Sequence, residues 1–212
     1  DYGLDFYAPQ TLIDDQGRRI MTAWMQSWNR TPVTAHLGYA GMMTIPRILS
    51  VKDGRLYQTP VPSIRDYRGA TVRDTVSLNQ SDMIIESMTG NQNEILLNIT
   101  PGEGKTGMRL FNDTGYVDIY YEDGYVYFDR THGTQGKIPE GDQNNIARVQ
   151  VPLNDDTLKL HIFLDAFSVE LFINDGLYTM SNTIYTGEEP LTFKLFSDGV
   201  SVIDYEFYVL NK

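Results

Sequence analysis

Residues 5–7 combine a carboxylate with two aromatic rings, in the order Asp5, Phe6 and Tyr7. A sugar ring is bound through acceptors for its hydroxyl groups and through an aromatic wall for its apolar face. We therefore predict that these three residues bind a carbohydrate. The alternative is an ordinary β-strand with an aspartate near its turn.

The two tryptophans of the chain, Trp24 and Trp28, lie four residues apart. In a β-strand this spacing places both rings on the same face. We predict that Trp28 contributes to the carbohydrate site and that Trp24 belongs to the core. Core packing of both rings is the alternative.

Asp165 and Glu170 could act as a paired acid and base. In an unbroken strand, however, residues five apart lie on opposite faces, so a structural role is favoured. His36, His132 and His161 lack the spacing of metal ligands, and the chain has no cysteine. The sequence therefore predicts no catalytic residue, metal site or cofactor.

The net charge of −11 disfavours nucleic acids and anionic membranes as partners, because a negative surface repels both. No apolar run reaches the roughly 18 residues that a membrane-spanning helix needs. Neither kind of partner is predicted, and the compartment stays open.

Short alternating runs separated by Asp-Gly pairs predict an all-β fold. Residues 117–128 are predicted to form a hairpin around Asp123 and Gly124. Because Pro60 and Pro62 cannot both lie inside a central strand, a domain boundary is predicted between residues 1–60 and 63–212. The first part is too short to bury a sheet core alone. It is expected to pack on the sandwich, on a second copy of the chain or on further polypeptide.

Several motifs resemble glycoside hydrolase family 32, the family of invertases, sucrose-6-phosphate hydrolases, levanases and inulinases. They are Asp-Phe-Tyr-Ala-Pro-Gln-Thr at 5–11, Trp-Met-Gln-Ser-Trp at 24–28, Met-Thr-Ile-Pro-Arg-Ile-Leu at 43–49, Phe-Asp-Arg-Thr at 128–131 and Leu-Asp-Ala-Phe-Ser-Val-Glu-Leu-Phe-Ile-Asn-Asp-Gly at 164–176. Ile48 stands where the family usually has an acid. The resemblance covers essentially the whole chain.

The resemblance implies the last two blades of a five-bladed β-propeller at residues 1–60, followed by a β-sandwich at residues 63–212. It also implies retaining hydrolysis of β-fructofuranosides. In that reaction one carboxylate attacks the anomeric carbon, and a second protonates the leaving oxygen and then activates water. Asp5, Phe6, Tyr7 and Trp28 would line the fructose pocket.

The three catalytic motifs of the family are absent from this sequence. The nucleophile belongs to Trp-Met-Asn-Asp-Pro-Asn-Gly, the acid/base to a Glu-Cys motif and a stabilising aspartate to Arg-Asp-Pro. The pairs Arg65-Asp66 and Arg73-Asp74 match only the first two letters of the last motif. The chain alone is therefore predicted to be inactive toward sucrose, sucrose 6-phosphate or fructan.

Three functional alternatives follow from this. The chain could be the C-terminal portion of a β-fructofuranosidase, which needs the missing N-terminal blades or a complementing chain. It could instead be a non-catalytic fructan-binding module, or a structural module that forms homo-oligomers.

Overall fold

The computed structural model describes residues 1–25, 33–134 and 145–211. Within those ranges the chain is almost entirely β-structure. The helices there are two short 3-10 helices, Val33–Leu37 and Pro62–Tyr67. The all-β fold class that the sequence predicts is confirmed.

The first four strands form one antiparallel sheet in chain order. They are β1 (Tyr7–Ile13), β2 (Arg19–Trp24), β3 (Arg47–Lys52) and β4 (Arg55–Pro60). A sheet of four antiparallel strands is the repeating unit of a β-propeller, the blade. Strand β1 lies at an edge, and each of its seven residues is exposed to solvent.

The other ten strands of the described residues form a second sheet that folds into a β-sandwich. One half contains β7 (Thr106–Asn112), β8 (Gly115–Glu122), β9 (Tyr125–Asp129) and β10 (Ile146–Gln150). The other half contains β6 (Asn93–Thr100), β11 (Leu158–Asp165), β12 (Ser168–Ile173) and β13 (Tyr178–Thr183). Two long strands, β5 (Arg68–Gly90) and β14 (Leu191–Leu210), run through both halves.

Strand β14 joins the two halves because its pairing partner changes along its length. Residues 192–197 pair with β7, and residues 202–209 pair with β6. The pairing of β14 with β5 shifts register between Ser197 and Val200. A bulge of this kind bends a strand. The sequence predicts separate strands at 191–196 and 200–210, and the structure joins them into one bent strand.

The predicted hairpin over residues 117–128 is confirmed, with Glu122 of β8 paired to Tyr125 of β9. Asp123 and Gly124 have φ values of +49° and +83°. Positive φ at both central residues is what a tight primed turn requires.

The sandwich core follows the two-residue period of its strands. Ile95, Leu97 and Ile99 of β6 are fully or almost fully buried in it, while residues 94, 96 and 98 point to the opposite face. Every residue of β12 is buried, so its second face is covered as well. The four-stranded sheet covers that face, where Arg47 of β3 is hydrogen-bonded to Glu170 of β12. We call this contact between the two sheets the seam.

Candidate functional site

The segment that carries Asp5 runs beside β13, at the edge of the sandwich sheet. The backbone N–H groups of Tyr2 and Asp5 donate to the carbonyls of Thr179 and Ser181 at 2.8 and 2.9 Å. Gly3 allows this approach, since a Cβ there would lie 2.2 Å from the backbone of Ser181. Residues 1–5 are therefore held on β13 by backbone hydrogen bonds.

Asp5 forms a buried ion pair with Arg130, which lies just after β9. The distance from Arg130 Nη1 to Asp5 Oδ2 is 2.6 Å, and neither side chain is exposed. The same carboxylate oxygen accepts hydrogen bonds from the backbone N–H and the hydroxyl of Thr183 at 2.8 and 3.0 Å. This geometry supports a structural role for Asp5 in attaching its segment to the sandwich.

Arg47 of β3 crosses the same seam from the other side. Its guanidinium donates to Glu170 Oε2 at 2.6 Å and to Asp1 Oδ2 at 2.8 Å, and all three side chains are almost completely buried. The guanidinium carbon lies 5.3 Å from the ring centre of Phe6 and 5.1 Å from that of Phe172. These are distances at which a cation is attracted to an aromatic face.

The second oxygen of Glu170 accepts a hydrogen bond from the backbone N–H of Ile45 at 2.7 Å. Burial raises the pKa of Glu170, and the contacts with Arg47 and Ile45 oppose that rise. Asp165, by contrast, is exposed at the hairpin, where it is paired with Ser168. The structure thus supports the interpretation that these two acids are structural.

Phe6 and Tyr7 occupy different environments. Phe6 is half-buried against Arg47 at the seam. Tyr7 is 42% exposed and lies edge-on to Trp24, with 6.3 Å between the ring centroids. Trp28 lies outside the described residues. The structure brings Asp5 and Phe6 together along the seam, and the binding of a sugar by Asp5, Phe6, Tyr7 and Trp28 stays a prediction.

Neither arginine of the seam was identified from the sequence as a residue of the site. Each lies in a motif that carries the family resemblance, Arg47 in Ile-Pro-Arg and Arg130 in Phe-Asp-Arg-Thr. For Arg47 the signal was a cation among the apolar residues of a short strand, and Arg130 directly follows the apolar strand β9. Such a charge requires a buried partner, because an unpaired charge is very costly away from water.

A third cluster lies on the outer face of the sandwich near the seam. Glu94 is buried and accepts hydrogen bonds from Arg68 at 2.6 and 2.7 Å and from His161 Nε2 at 2.7 Å. Burial acts to raise the pKa of Glu94, but the hydrogen bonds from Arg68 and His161 outweigh it and lower that pKa to about 2. Glu94 is thus ionised and paired at neutral pH.

The part of the chain that the structure describes contains no group of three or more His, Asp or Glu side chains placed to hold a metal ion. Among the same residues, no helix combines the length and hydropathy that crossing a membrane requires.

Comparison with protein families gives two adjoining matches. Residues 1–60 match the model "Glycosyl hydrolases family 32 N-terminal domain", and residues 62–209 match "Glycosyl hydrolases family 32 C terminal".

Among curated proteins, the raffinose invertase of Escherichia coli is 32% identical over 200 residues, which cover 93% of this chain and 40% of the invertase. The sucrose-6-phosphate hydrolase of Bacillus subtilis is 32% identical over 185 residues, which cover 85% of this chain and 36% of that enzyme. The chain thus spans about 40% of the length of the curated relatives it matches.

Solved structures agree in fold over the whole chain. Sucrose-6-phosphate hydrolase from Lactobacillus gasseri superposes with a TM-score of 0.81 and 24% identity, over 42% of its own length. Fructan 1-exohydrolase IIa from Cichorium intybus gives a TM-score of 0.86 and 17% identity, over 49% of its length. The fold is the end of a β-propeller followed by a β-sandwich, as the sequence predicts.

Proposed function

Since this chain belongs to glycosyl hydrolases family 32, we propose that it is the C-terminal portion of a retaining glycosidase that hydrolyses β-fructofuranosides. The substrate class is sucrose, sucrose 6-phosphate or a fructan. One observation carries the proposal: the chain matches the N-terminal and C-terminal family models in succession, while it spans only about 40% of its curated relatives. On this proposal the bond-breaking carboxylates belong to the part of the enzyme that the chain does not cover.

The state of the buried acids supports this division of roles. A retaining glycosidase needs two carboxyl groups about 5–5.5 Å apart that both reach the substrate. Asp1, Asp5 and Glu170 are instead almost completely buried and each is paired with an arginine. A carboxylate held by an arginine in this way is not placed to act as the nucleophile or as the acid/base of the reaction.

The role we propose for this chain is to support the propeller and to contribute to the sugar pocket. The arginine pairs of the seam would hold the segment of residues 1–6, which leads to Tyr7 at the start of β1, against the sandwich. Tyr7 and Trp28 would then contact the sugar, and Asp5 would keep the segment in place. The missing blades, or a chain that supplies them, would pack beside the exposed edge strand β1.

The experiment compares the purified chain with a longer polypeptide encoded by the same reading frame. We expect the upstream codons to encode Trp-Met-Asn-Asp-Pro-Asn-Gly and the longer polypeptide to hydrolyse sucrose or its 6-phosphate. The chain alone should release no fructose. The matched control replaces the aspartate of that motif, which precedes the proline, with asparagine, and this should abolish hydrolysis by the longer polypeptide.

Two results would overturn the proposal. The first is hydrolysis by the chain alone, at the rate of the longer polypeptide and surviving repurification. The second is an upstream frame without the motif, together with an extended protein that releases no fructose. That second outcome would favour a non-catalytic fructan-binding or structural module.

A further inference from the structure

Tyr7 and Trp24 form an aromatic pair at one end of β1 and β2. Tyr7 is the first residue of β1 and Trp24 is the last residue of β2, and the two are directly paired across the strands. Their ring centroids lie 6.3 Å apart, and Tyr7 is exposed to solvent. The shape of this surface therefore depends on what holds the end of β2 against the start of β1.

A short segment, residues 42–45, holds the end of β2. The backbone N–H of Met25 donates to the carbonyl of Met42 at 2.8 Å. The backbone N–H of Thr44 donates to the carbonyl of Ala23 at 2.9 Å, and the hydroxyl of Thr44 accepts from the N–H of Ala23 at 3.0 Å. The tryptophan between Ala23 and Met25 is fixed by these contacts, so its position follows that of the segment.

Glu170 of β12 fixes the other end of this segment from the sandwich. One carboxylate oxygen accepts the backbone N–H of Ile45 at 2.7 Å, and the other accepts from the guanidinium of Arg47 at 2.6 Å. Glu170 is buried, so water cannot readily replace either contact. A donor that is shielded from water is costly without an acceptor. Glu170 thus decides where Ile45 and Arg47 lie.

The neighbouring strand of the sandwich fixes the segment that leads to Tyr7. Thr183 of β13 donates to the carboxylate of Asp5 through its backbone N–H and its hydroxyl. The carbonyl of Ser181 accepts the backbone N–H of Asp5 at 2.9 Å. Because Glu170 is directly paired with Ser181 across β12 and β13, one pair of sandwich strands holds the supports of both aromatic rings.

We propose that Glu170 is a positioning residue of the sugar pocket, which acts through Ile45 and the segment 42–45 to set where Trp24 lies against Tyr7. This role needs no contact between the acid and the sugar. The sandwich would in this way shape a wall of the pocket from a distance. The position of Trp24 rests on the contacts described above, whereas its effect on a fructoside rests on the proposed function.

The test uses the fluorescence of Trp24. The chain has two tryptophans, so Trp28→Phe leaves Trp24 as the reporter, and each further substitution is made in that background. In Glu170→Gln a single acceptor oxygen faces two donors, so Ile45 or Arg47 loses its partner. We expect acrylamide to quench Trp24 about twice as efficiently as in Trp28→Phe, because a strand end that is held less tightly opens more often. Glu170→Ala, which has no acceptor, should have a larger effect.

Glu94→Gln in the same background is the matched control. Glu94 is likewise a buried acid of the sandwich that is paired with an arginine, and its partners Arg68 and His161 also belong to the sandwich. The substitution removes a charge from a pair that does not hold the segment 42–45. It should therefore lower the stability of the chain and leave the quenching of Trp24 unchanged. Circular dichroism checks that every variant is folded.

Kinetics of the longer polypeptide separate positioning from a merely structural role. If Glu170 sets a wall that binds the sugar equally in the ground state and the transition state, Glu170→Gln raises KM about tenfold and changes kcat little. A loss of stability alone would reduce the amount of folded enzyme, which lowers the apparent kcat at unchanged KM. Glu94→Gln should leave KM unchanged.

The proposal is wrong if folded Glu170→Gln is quenched no more than Trp28→Phe, or if Glu94→Gln raises the quenching as much as Glu170→Gln does. An unchanged KM in Glu170→Gln would also contradict it. One measurement needs no variant: the amide of Ile45 should exchange slowly with solvent in the wild-type chain, and exchange at the rate of an exposed amide would overturn the role of Glu170. A longer polypeptide that releases no fructose would refute the proposed function alone, since fluorescence and amide exchange are measured on this chain.

Discussion

At the scale of single residues, Arg47 shows how strongly the two sheets depend on one charge. Its guanidinium has no exposed surface and contacts Glu170, Asp1 and the rings of Phe6 and Phe172. Replacing both partners of a buried ion pair with apolar residues can leave the stability of a protein nearly unchanged. Removing only one partner lowers the stability, because it leaves an unpaired buried charge. The pair therefore makes the seam sensitive to a single substitution.

We predict that Arg47→Met lowers the free energy of unfolding by about 3–5 kcal/mol, because Glu170 and Asp1 lose their partner. Urea titration followed by circular dichroism measures the change. Lys159→Met is the control, since Lys159 and its partner Asp175 are both at least half exposed. An exposed pair contributes at most about 1 kcal/mol. A loss for Arg47→Met no larger than that of the control would contradict the importance of the seam.

Glu94 gives the molecule a pH dependence whose sign follows from its pairing. Its pKa is about 2 in the folded chain, below the ordinary value of 4.5, so the folded state favours the ionised form. The stabilisation is present in full above pH 4.5 and is lost as the pH falls toward 2. We expect the free energy of unfolding to decrease over this interval more steeply in the wild type than in Glu94→Gln. Urea titrations at several pH values measure this free energy, and an equal pH dependence in the two proteins would refute the prediction.

At the scale of elements, the turn between β12 and β13 fastens the sandwich to the four-stranded sheet. The backbone N–H of Gln58 donates to the carbonyl of Gly176 at 2.9 Å. Gly176 has φ +85°, and a Cβ on it would lie 2.0 Å from the carbonyl oxygen of Gln58. Glycine is required at this turn by its backbone conformation and by the neighbouring sheet.

We predict that Gly176→Ala destabilises the chain by roughly 1–3 kcal/mol more than Gly124→Ala does. Gly124 is a matched control, because it also follows an aspartate in a hairpin turn and has φ +83°, yet a Cβ there would meet nothing within 4 Å. Both variants place alanine in the left-handed backbone conformation, which is strained. Only Gly176→Ala adds a clash with β4. Thermal unfolding of the two variants measures the difference, and equal losses would show that the contact with β4 is unimportant.

At the scale of the whole molecule, the four-stranded sheet leaves apolar surface uncovered. Val51 is 74% exposed and Leu12 is 60% exposed, and Ile13 and Leu56 are also exposed. Strand β1 adds an unpaired edge, which is a template for association with another strand. Exposed apolar side chains beside an unpaired strand edge favour contact with another polypeptide.

We predict that the purified chain self-associates through this sheet, which light scattering at several concentrations would detect. The double variant Leu12→Lys and Ile13→Lys should shift the population toward monomer, because charges on an edge strand oppose pairing. Val200→Lys is the control, since Val200 is 68% exposed in the sandwich, away from β1. A wild-type chain that is monomeric at every concentration would refute the prediction.

The local parts of the fold could be predicted because their causes are local. The hairpin over residues 117–128 follows from an Asp-Gly pair between alternating runs, and both determinants lie within a dozen residues. The bend of β14 was not predictable, because it arises where the strand exchanges β7 for β6 as its partner. Neither partner lies near that bend in the sequence.

The sequence by itself determined the all-β class, the hairpins and the family, since each depends on neighbouring residues or on a linear motif. Only the tertiary structure decided what Asp5, Arg47 and Arg130 do. The partner of Asp5 lies 125 residues away and that of Arg47 lies 123 residues away. A buried charge is stable only beside an opposite charge, and folding alone decides which distant residue provides it.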